Sequence, residues 1–366
     1  MIRALDVLLC GLARTPELLA RSLLDFTRLR RSGHVGRVVF ATWQDEVDKH
    51  PGLRAQLGAA GVELIEAHLP NPAGPGNVWA QMRSLELGLG ALDADARVLK
   101  TRADVWLHPG FIERLSDEGF LEPSADPQVR KHFRFERRIW VPWYEITKPF
   151  YLGDEAFCGM ARDLKQLVNY DARYDTVYEI DAGISHLRRF MQPFLDQHPI
   201  FSTYLEHGGR TGHASPQRFP VLHMALQTKF YLGVLASYYF LLAAHHRIDS
   251  TSVPDQIVFR DWSIPRAQPD PDRFLENFSV DRSWRPAAGH LFAYDERWLA
   301  NVVRGALPGG VQFDFIGETI ARLRAGSGAD VADWLAPSIP AYRDALAHIR
   351  ERTGADAPAP PPPTAK

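Results

Sequence analysis

Short apolar runs alternate with helix-like segments through the first hundred residues, and this alternation constrains the fold more than any other feature. The apolar runs, each of strand length, cover residues 6–12, 37–42, 62–65 and 97–101. The segments between them carry apolar residues at helical spacing and end at turn residues such as Gly33 and Gly61. Buried strands that alternate with helices form βαβ units. The sequence therefore predicts an α/β fold with a Rossmann-type, mostly parallel sheet flanked by helices.

The remainder of the 366-residue chain is expected to be mainly helical. We place the α/β domain at residues 1–170, a mainly helical, acceptor-side region at 171–353, and a disordered Pro/Ala tail at 354–366. The apolar segment 230–244 is shorter than the roughly 20 residues of a membrane span, and so predicts a buried core helix, with contact at a membrane surface as the alternative. His245 and His246 follow this segment, where cationic rings would suit the helix dipole.

Charge and cysteine content narrow the range of partners. A formal net charge of −2 provides no global basic field, so we expect no nucleic-acid partner. The two cysteines, Cys10 and Cys158, cannot form a disulfide framework and favour a reducing compartment, which predicts a cytoplasmic protein. No glycine-rich phosphate motif of the dinucleotide or P-loop type follows the first strand. If the chain binds a nucleotide, its phosphates must therefore be bound by residues other than a glycine-rich loop.

Ligands of open α/β sheets bind beyond the carboxyl ends of the strands. This rule nominates Gly11, Arg14, Asp45 and Asp104. Asp45 follows the second strand, where an acid can contact ribose or base, although a solvated loop acid is the alternative. In the segment 77–92, Asn77 and Gln81 lie four residues apart on one helix face. Their amides could bind the base or ribose, or could simply be exposed.

The densest signal is the row formed by Lys100, Arg102 and Asp104 at the end of the fourth strand. Side chains two apart on a strand share one face, and a row of two cations and an anion suits a diphosphate with its metal. Mg²⁺ or Mn²⁺ held by Asp104 would offset the charge of a leaving nucleoside diphosphate. The alternative is an internal salt bridge of Asp104 with Lys100 or Arg102.

A second group of acids follows Gly153. Asp154 and Glu155 precede a helical pattern over residues 156–168. Asp154 is a candidate base for deprotonating an attacking hydroxyl, a role that contributes about 10² to 10⁴ in rate. The alternative is an N-cap of the following helix, in which case Glu155 could act as the base.

The segment 129–138 is basic, with Phe133 and Phe135 interleaved. It could guide a phosphorylated acceptor or touch an anionic membrane surface, which would make the protein membrane-associated. A solvated edge strand protected by its Lys and Arg residues is the alternative.

Three motifs together resemble the WavE lipopolysaccharide-synthesis family: the run Lys100-Thr-Arg-Ala-Asp104, the pair Asn77 and Gln81, and the run Pro149-Phe-Tyr-Leu-Gly-Asp154 with Phe157 and Gly159. The resemblance covers approximately residues 5–245. It implies a nucleotide-sugar glycosyltransferase of the GT-A type that acts on a cell-surface saccharide or a lipid-linked acceptor. It also places Asp104 at the acidic Asp-x-Asp element and supports Asp154 as the base.

The sequence departs from this pattern at Arg102, which occupies the first acidic position of that element. Lys100 and Arg102 could therefore neutralise phosphate directly, without strict metal dependence. Two other functions stay open. One is a catalytically silent protein that binds a nucleotide sugar or carbohydrate. The other is an α/β enzyme with paired carboxylates, such as a hydrolase, although no G-x-S-x-G motif supports it.

Overall fold

The structure is a computed structural model. It describes residues 4–70, 78–146, 149–150, 152–170, 189–207, 228–249, 257–259, 262–263, 292–293, 295–306 and 311–353.

Strands and helices alternate in the first part of the described chain, and helices dominate the last part. The strands are β1 (Leu5–Cys10), β2 (Val35–Trp43), β3 (Glu63–Ala67), β4 (Arg97–Arg102), β5 (Val105–Leu107), β6 (Ile139–Val141), β7 (Tyr144–Glu145), β8 (Ala156–Met160), β9 (His246–Ile248), β10 (Ile257–Phe259), β11 (Trp262–Ser263) and β12 (Phe292–Ala293). The helices are α1 (Pro16–Arg31), α2 (Leu53–Ala59), α3 (Val78–Gly90), α4 (Pro109–Leu115), α5 (Pro127–Arg130), α6 (Ala161–Lys165), α7 (Ile200–His207), α8 (Lys229–His245), α9 (Arg297–Arg304), α10 (Val311–Ala325), α11 (Gly328–Leu335) and α12 (Ile339–Thr353).

Seven strands form the main sheet in the order β3-β2-β1-β4-β8-β6-β9. Strands β3, β2, β1 and β4 pair in parallel, and β8 runs antiparallel between β4 and β6. The prediction of a mostly parallel α/β sheet flanked by helices is confirmed, as is the mainly helical character that follows it. Each of the four predicted strands is present, with ends displaced by one or two residues.

Each face of the sheet packs on its own hydrophobic core because side chains alternate along a strand. Leu8 and Val39 pack on one face with Leu85 and Leu89 of α3. Their neighbours on the other face, such as Val7, belong to the cluster that includes the buried stripe of α1. Helix α3 is thereby placed over the carboxyl ends of β1 and β2, where ligands of such sheets bind.

Gly88 allows the close approach of α3 to β1. A Cβ atom built on Gly88 would overlap the side chain of Leu8, whereas one built on Gly90 meets nothing within 4 Å. We therefore expect Gly88→Ala to lower the free energy of unfolding by about 1–2 kcal/mol, since overpacking outweighs the gain in helix propensity. Gly90→Ala in the same helix is the control and should be neutral or stabilising. Urea denaturation of both variants measures the difference, and equal stability would contradict this account of the contact.

Helix α8 is almost completely buried, as the sequence predicted, and packs against α9, α10 and α11. No helix in the described part of the chain combines the length and apolarity needed to span a membrane. The prediction of cationic rings at its end is wrong. Burial lowers the pKa of both His245 and His246 to about 3, so both rings are neutral at neutral pH. The proposed domain boundary at residue 170 stays a prediction, and the tail 354–366 lies outside the described residues.

The helix expected over 156–168 is wrong in its first part. Residues Ala156–Met160 form β8, and α6 begins only at Ala161. The segment has apolar residues at helical spacing, but pairing with β4 and β6 buries both faces of a strand there, and this tertiary pairing overrides the local pattern. Asp154 consequently precedes a strand, and the N-cap alternative is wrong.

The edge strand considered for 129–138 is also absent from the structure. Helix α5 ends at Arg130, and the chain then runs without regular structure to β6. Phe135 is buried in the core, which pins this segment against the helical region. The arginines form ion pairs: Arg134 with Asp196, Arg137 with Glu122 and Arg138 with Glu296. These ion pairs offset the charge of three of the segment's cations, whereas Arg130 and Lys131 are exposed, and contact of the segment with a membrane or a phosphorylated acceptor stays a prediction.

Candidate functional site

A cleft of about 250 Å³ opens beyond the carboxyl ends of β1, β2 and β4, beside the first turns of α3. The residues that line it come from widely separated parts of the chain. They are Cys10, Gly11, Leu12, Arg14, Trp43, Leu69, Ala80, Gln81, Ser84, Lys100, Arg102, Asp104, Asp154 and Arg189.

The end of β1 forms one wall of the cleft. Gly11 has a φ of 94°, in the left-handed region that favours glycine, and this turns the chain out of the strand. Thr42 of β2 anchors the turn by donating its hydroxyl to the Gly11 carbonyl oxygen at 2.8 Å. The turn leads to Arg14, whose exposed side chain lines the cleft.

Lys100 lies in β4 and is 4% exposed. Its Nζ donates to the Asp154 backbone oxygen at 2.6 Å and lies 4.8 Å from the centre of the Phe157 ring. Burial lowers the pKa of Lys100 to about 8, and the nearby positive charge of Arg189 acts in the same direction. The ammonium is therefore still mostly charged at neutral pH and available to an anion in the cleft.

Arg102 and Asp104 form a two-pronged ion pair at the lip of the cleft. The Arg102 Nε and Nη2 atoms each lie 2.9 Å from one carboxylate oxygen of Asp104. Asp104 is only 2% exposed, although both residues line the cleft. The internal salt bridge considered from sequence is therefore present, with Arg102 and not Lys100 as the partner.

The ion pair between Arg102 and Asp104 affects whether Asp104 can bind the divalent metal ion expected from the sequence. Both carboxylate oxygens that a divalent ion would use are already engaged by Arg102. Within the described residues, no three His, Cys, Asp or Glu side chains are grouped so that they could hold a metal ion. Each carboxylate oxygen of Asp104 keeps a second lone pair, but a divalent ion bound there would lie close to the positive charge of the Arg102 guanidinium, which opposes metal binding. Metal binding at Asp104 stays a prediction from sequence.

Arg189 precedes α7 in the chain. Its side chain lines the cleft and is 1% exposed. Its Nη2 donates to Gln81 Oε1 at 3.3 Å, and its Nη1 lies 3.9 Å from Asp154 Oδ2. The guanidinium carbon lies 5.2 Å and 5.9 Å from the ring centres of Phe157 and Phe190. These contacts place a buried cation directly beside the candidate base.

Glu155 lies behind the cleft and does not line it. Its backbone oxygen accepts a hydrogen bond from the Arg102 backbone N–H at 3.1 Å, which continues the pairing of β4 with β8. Its Oε2 is shielded from solvent and has no hydrogen-bond partner among the residues that the structure describes. Burial raises the pKa of Glu155, and the negative charge of Asp154 raises it further. Glu155 is therefore not positioned as a base facing substrate.

The structure brings together seven of the predicted site residues: Gly11, Arg14, Gln81, Lys100, Arg102, Asp104 and Asp154. Asp45 is not among the lining residues. It sits exposed in a left-handed turn, and the adjacent Glu46 instead turns inward to accept a hydrogen bond from the Ala13 backbone N–H at 3.0 Å. Asn77 lies outside the described residues.

Sequence reasoning missed Trp43, Ser84 and Arg189. Trp43 is the last residue of β2, so the rule that nominated Gly11 could have found it. Ser84 lies three residues after Gln81 and follows from the same helix face. Arg189 lies far along the chain from any predicted strand end, and no local pattern marks it.

The charges of the lining residues define what the cleft can bind. Arg14, Lys100, Arg102 and Arg189 provide four positive charges and Asp104 and Asp154 two negative ones, a formal balance of +2. Trp43 and Leu69 add apolar surface. A cationic cleft with an apolar side, at the carboxyl edge of a parallel sheet, suits a phosphorylated ligand with a planar or apolar part.

Comparisons with known proteins add little to this geometry. No family model matches the chain, so the resemblance to the WavE family gains no support from that comparison. No curated protein matches it either.

Among solved structures, the chain is similar to the galactosyltransferase LgtC in complex with donor and acceptor sugar analogues, at 13% identity and a TM-score of 0.28. The match covers 44% of this chain and 59% of LgtC. A second similar structure is the inositol-1-phosphate CTP transferase from T. maritima, at 13% identity and a TM-score of 0.29, covering 53% of this chain and 82% of the other. Both are transferases by name, but such low scores do not support an inference of function, which has to be argued from the cleft.

Proposed function

We propose that the protein is a glycosyltransferase that moves a sugar from a nucleotide-sugar donor to a saccharide or glycolipid acceptor. The observation that carries this proposal is the meeting of Lys100, Arg102 and Arg189 with Asp154 in one cleft at the carboxyl edge of the sheet. Cations suit the donor's diphosphate, and a carboxylate among them suits a proton acceptor. The resemblance found in the sequence points to a cell-surface or lipid-linked acceptor.

In the proposed reaction, the acceptor hydroxyl oxygen attacks the anomeric carbon of the donor sugar. The bond from that carbon to the diphosphate oxygen breaks, and its electron pair leaves with the nucleoside diphosphate. Asp154 takes the proton of the attacking hydroxyl. Lys100 and Arg189 would offset the charge that develops on the leaving group, and positioned charges of this kind have their largest effect in a site that excludes water.

A catalytically silent donor-binding protein is the second candidate, and one observation favours it. The acid predicted to take part in donor chemistry, Asp104, is already paired with Arg102 through both of its carboxylate oxygens. A protein of this kind would bind the donor in the same cleft without turnover.

A thermal-shift screen with UDP-, GDP-, CMP- and dTDP-linked sugars, with and without Mn²⁺, tests these proposals. A donor present at 100 times its dissociation constant should stabilise the fold by about 2.7 kcal/mol. The responding donor is then incubated with glycolipid and saccharide acceptors, and sugar transfer is followed by mass spectrometry. Sugar transfer supports the glycosyltransferase. Stabilisation by a donor that is neither transferred nor hydrolysed supports the silent binding protein. If no donor stabilises the fold, both proposals are contradicted. The Mn²⁺ arm shows whether a metal contributes.

A further inference from the structure

We propose that Arg189 is the principal ligand of the donor's diphosphate and binds it directly, without a bridging metal ion. This inference rests on the proposed function and assigns the diphosphate to a residue that no motif in the sequence marks. It predicts a specific anion site at one end of the cleft, formed by Arg189 with Lys100 beside it.

The first support is the incomplete hydrogen bonding of a deeply buried cation. Arg189 is 1% exposed, yet among the residues that the structure describes its Nε and Nη1 atoms have no hydrogen-bond partner. Its one short polar contact within that part of the chain is the 3.3 Å bond from Nη2 to Gln81, and Asp154 at 3.9 Å is beyond hydrogen-bonding distance. A buried cation with free donors is costly unless a partner completes it. An anion in the cleft is such a partner.

The second support is the rigidity of the guanidinium. Phe157 and Phe190 flank it, and the Gln81 oxygen holds one of its corners. A held planar fork with free N–H groups matches two oxygens of a phosphate, because guanidinium and phosphate pair in a two-pronged geometry. The fork is therefore aligned before the ligand arrives, and little conformational freedom is lost on binding.

The third support distinguishes the cations of the cleft from one another. Arg102 has its Nε and Nη2 donors committed to Asp104, and Arg14 is exposed at the rim. Lys100 donates one bond to the Asp154 backbone oxygen and keeps other N–H donors. Burial lowers the pKa of Lys100, and the nearby positive charge of Arg189 lowers it further, so the two cations lie close to one another in the cleft. Two adjacent buried cations suit an anion with more than one charge, as a diphosphate has.

Isothermal titration of the 366-residue chain with inorganic diphosphate in EDTA tests the inference. We expect wild-type protein to bind in the absence of metal and Arg189→Gln to bind about tenfold to hundredfold more weakly, the value of a charge-assisted hydrogen bond. Arg189→Lys keeps the charge but loses the planar fork and should bind with intermediate affinity. Arg83→Gln makes the same charge change on α3 outside the cleft, where Arg83 pairs with Glu86, and should bind like wild type.

Three outcomes would overturn the inference: no diphosphate binding by wild type in EDTA, binding by a folded Arg189→Gln variant at wild-type affinity, or an equal loss in Arg83→Gln. If Arg189→Gln does not fold, the more conservative Arg189→Lys carries the comparison, and absence of binding by wild type overturns the inference without any variant. Sugar transfer together with unaltered diphosphate affinity in Arg189→Gln would refute this inference and leave the proposed function intact. Diphosphate binding that depends on Arg189, in a protein that neither transfers nor hydrolyses any donor, would support this inference and refute the proposed glycosyltransferase activity.

Discussion

Replacement of Asp154 by Asn should lower the rate of sugar transfer by about two orders of magnitude or more while donor binding is retained. A positioned general base contributes about 10² to 10⁴ in rate, and an amide cannot take the proton. Asp154 fits this role because its side chain is 14% exposed, lines the cleft, and lies beside the cation proposed to bind the leaving diphosphate. Single-turnover transfer assays and donor titration separate the two effects.

We do not expect the donor affinity of Asp154→Asn to fall below that of the wild type. The carboxylate oxygen of Asp154 lies 3.9 Å from Arg189 Nη1 and competes electrostatically with the donor's diphosphate. Removal of its charge should therefore leave affinity unchanged or raise it, whereas loss of a purely structural ion pair would weaken both binding and stability. This opposite movement of rate and affinity is the signature of a base.

Asp48→Asn is a matched control for this prediction. Asp48 is an exposed carboxylate that pairs with Arg54 outside the cleft, so its amide variant should transfer sugar at the wild-type rate. A folded Asp154→Asn variant with unchanged transfer removes Asp154 from the mechanism. Loss of the fold in Asp154→Asn would show that the carboxylate is structural.

Lowering the pH from 7 to 5 should reduce the free energy of unfolding by several kcal/mol through a group of buried histidines. His132, His198, His245 and His246 are each buried at the junction of α8 with the segment after α5 and the turns before α7. Burial lowers the pKa of His198, His245 and His246 to about 3 and lowers that of His132. Neighbouring rings add to the effect, since His132 and His198 lie 6.0 Å apart.

The direction follows from proton linkage. A histidine in the unfolded chain has a pKa near 6.5, so below that pH the unfolded state binds protons that the folded state does not. Stability is therefore full above about pH 6.5 and is lost as the pH falls toward the folded-state pKa of about 3. Each deeply buried ring contributes a loss of about 2 kcal/mol between pH 7 and pH 5, as an upper value.

Urea denaturation at pH 7 and pH 5 measures this loss. His198→Phe removes two ring nitrogens that have no hydrogen-bond partner in the described part of the chain, and it should make the loss between the two pH values smaller by about 2 kcal/mol. His68→Gln changes an exposed histidine and should leave the pH dependence as it is in the wild type. If His198→Phe retains the full acid sensitivity, the histidine group is not its source.

Much of the site's location could be predicted from strand ends alone. The apolar runs that became β1 and β4 are local patterns, and the rule for parallel sheets then placed Gly11, Arg14, Lys100, Arg102 and Asp104 at one edge. These residues do line one cleft. The same rule nominated Asp45, which does not line this cleft. The turn after β2 has a left-handed conformation at Asp45, so that the next acid, Glu46, points inward and Asp45 stays exposed.

Other features depended on partners far along the chain. A helical pattern over 156–168 could not show that Ala156–Met160 would be buried between β4 and β6 as a strand. The end of α8 looked favourable for cationic histidines, but aromatic packing from the segment around Phe194 buries and neutralises His245. In both cases, burial created by distant elements outweighed the local preference.

By itself, the sequence determined the class of fold, because the lengths and periods of apolar runs are local and dictate which segments become strands and helices. It also determined the edge of the sheet at which charged residues gather. Only the tertiary structure decided that Asp104 is paired with Arg102, that Asp154 precedes a strand, and that Arg189 completes the cleft. Ion pairing and burial depend on distances between residues remote in sequence, and the folded chain alone sets those distances.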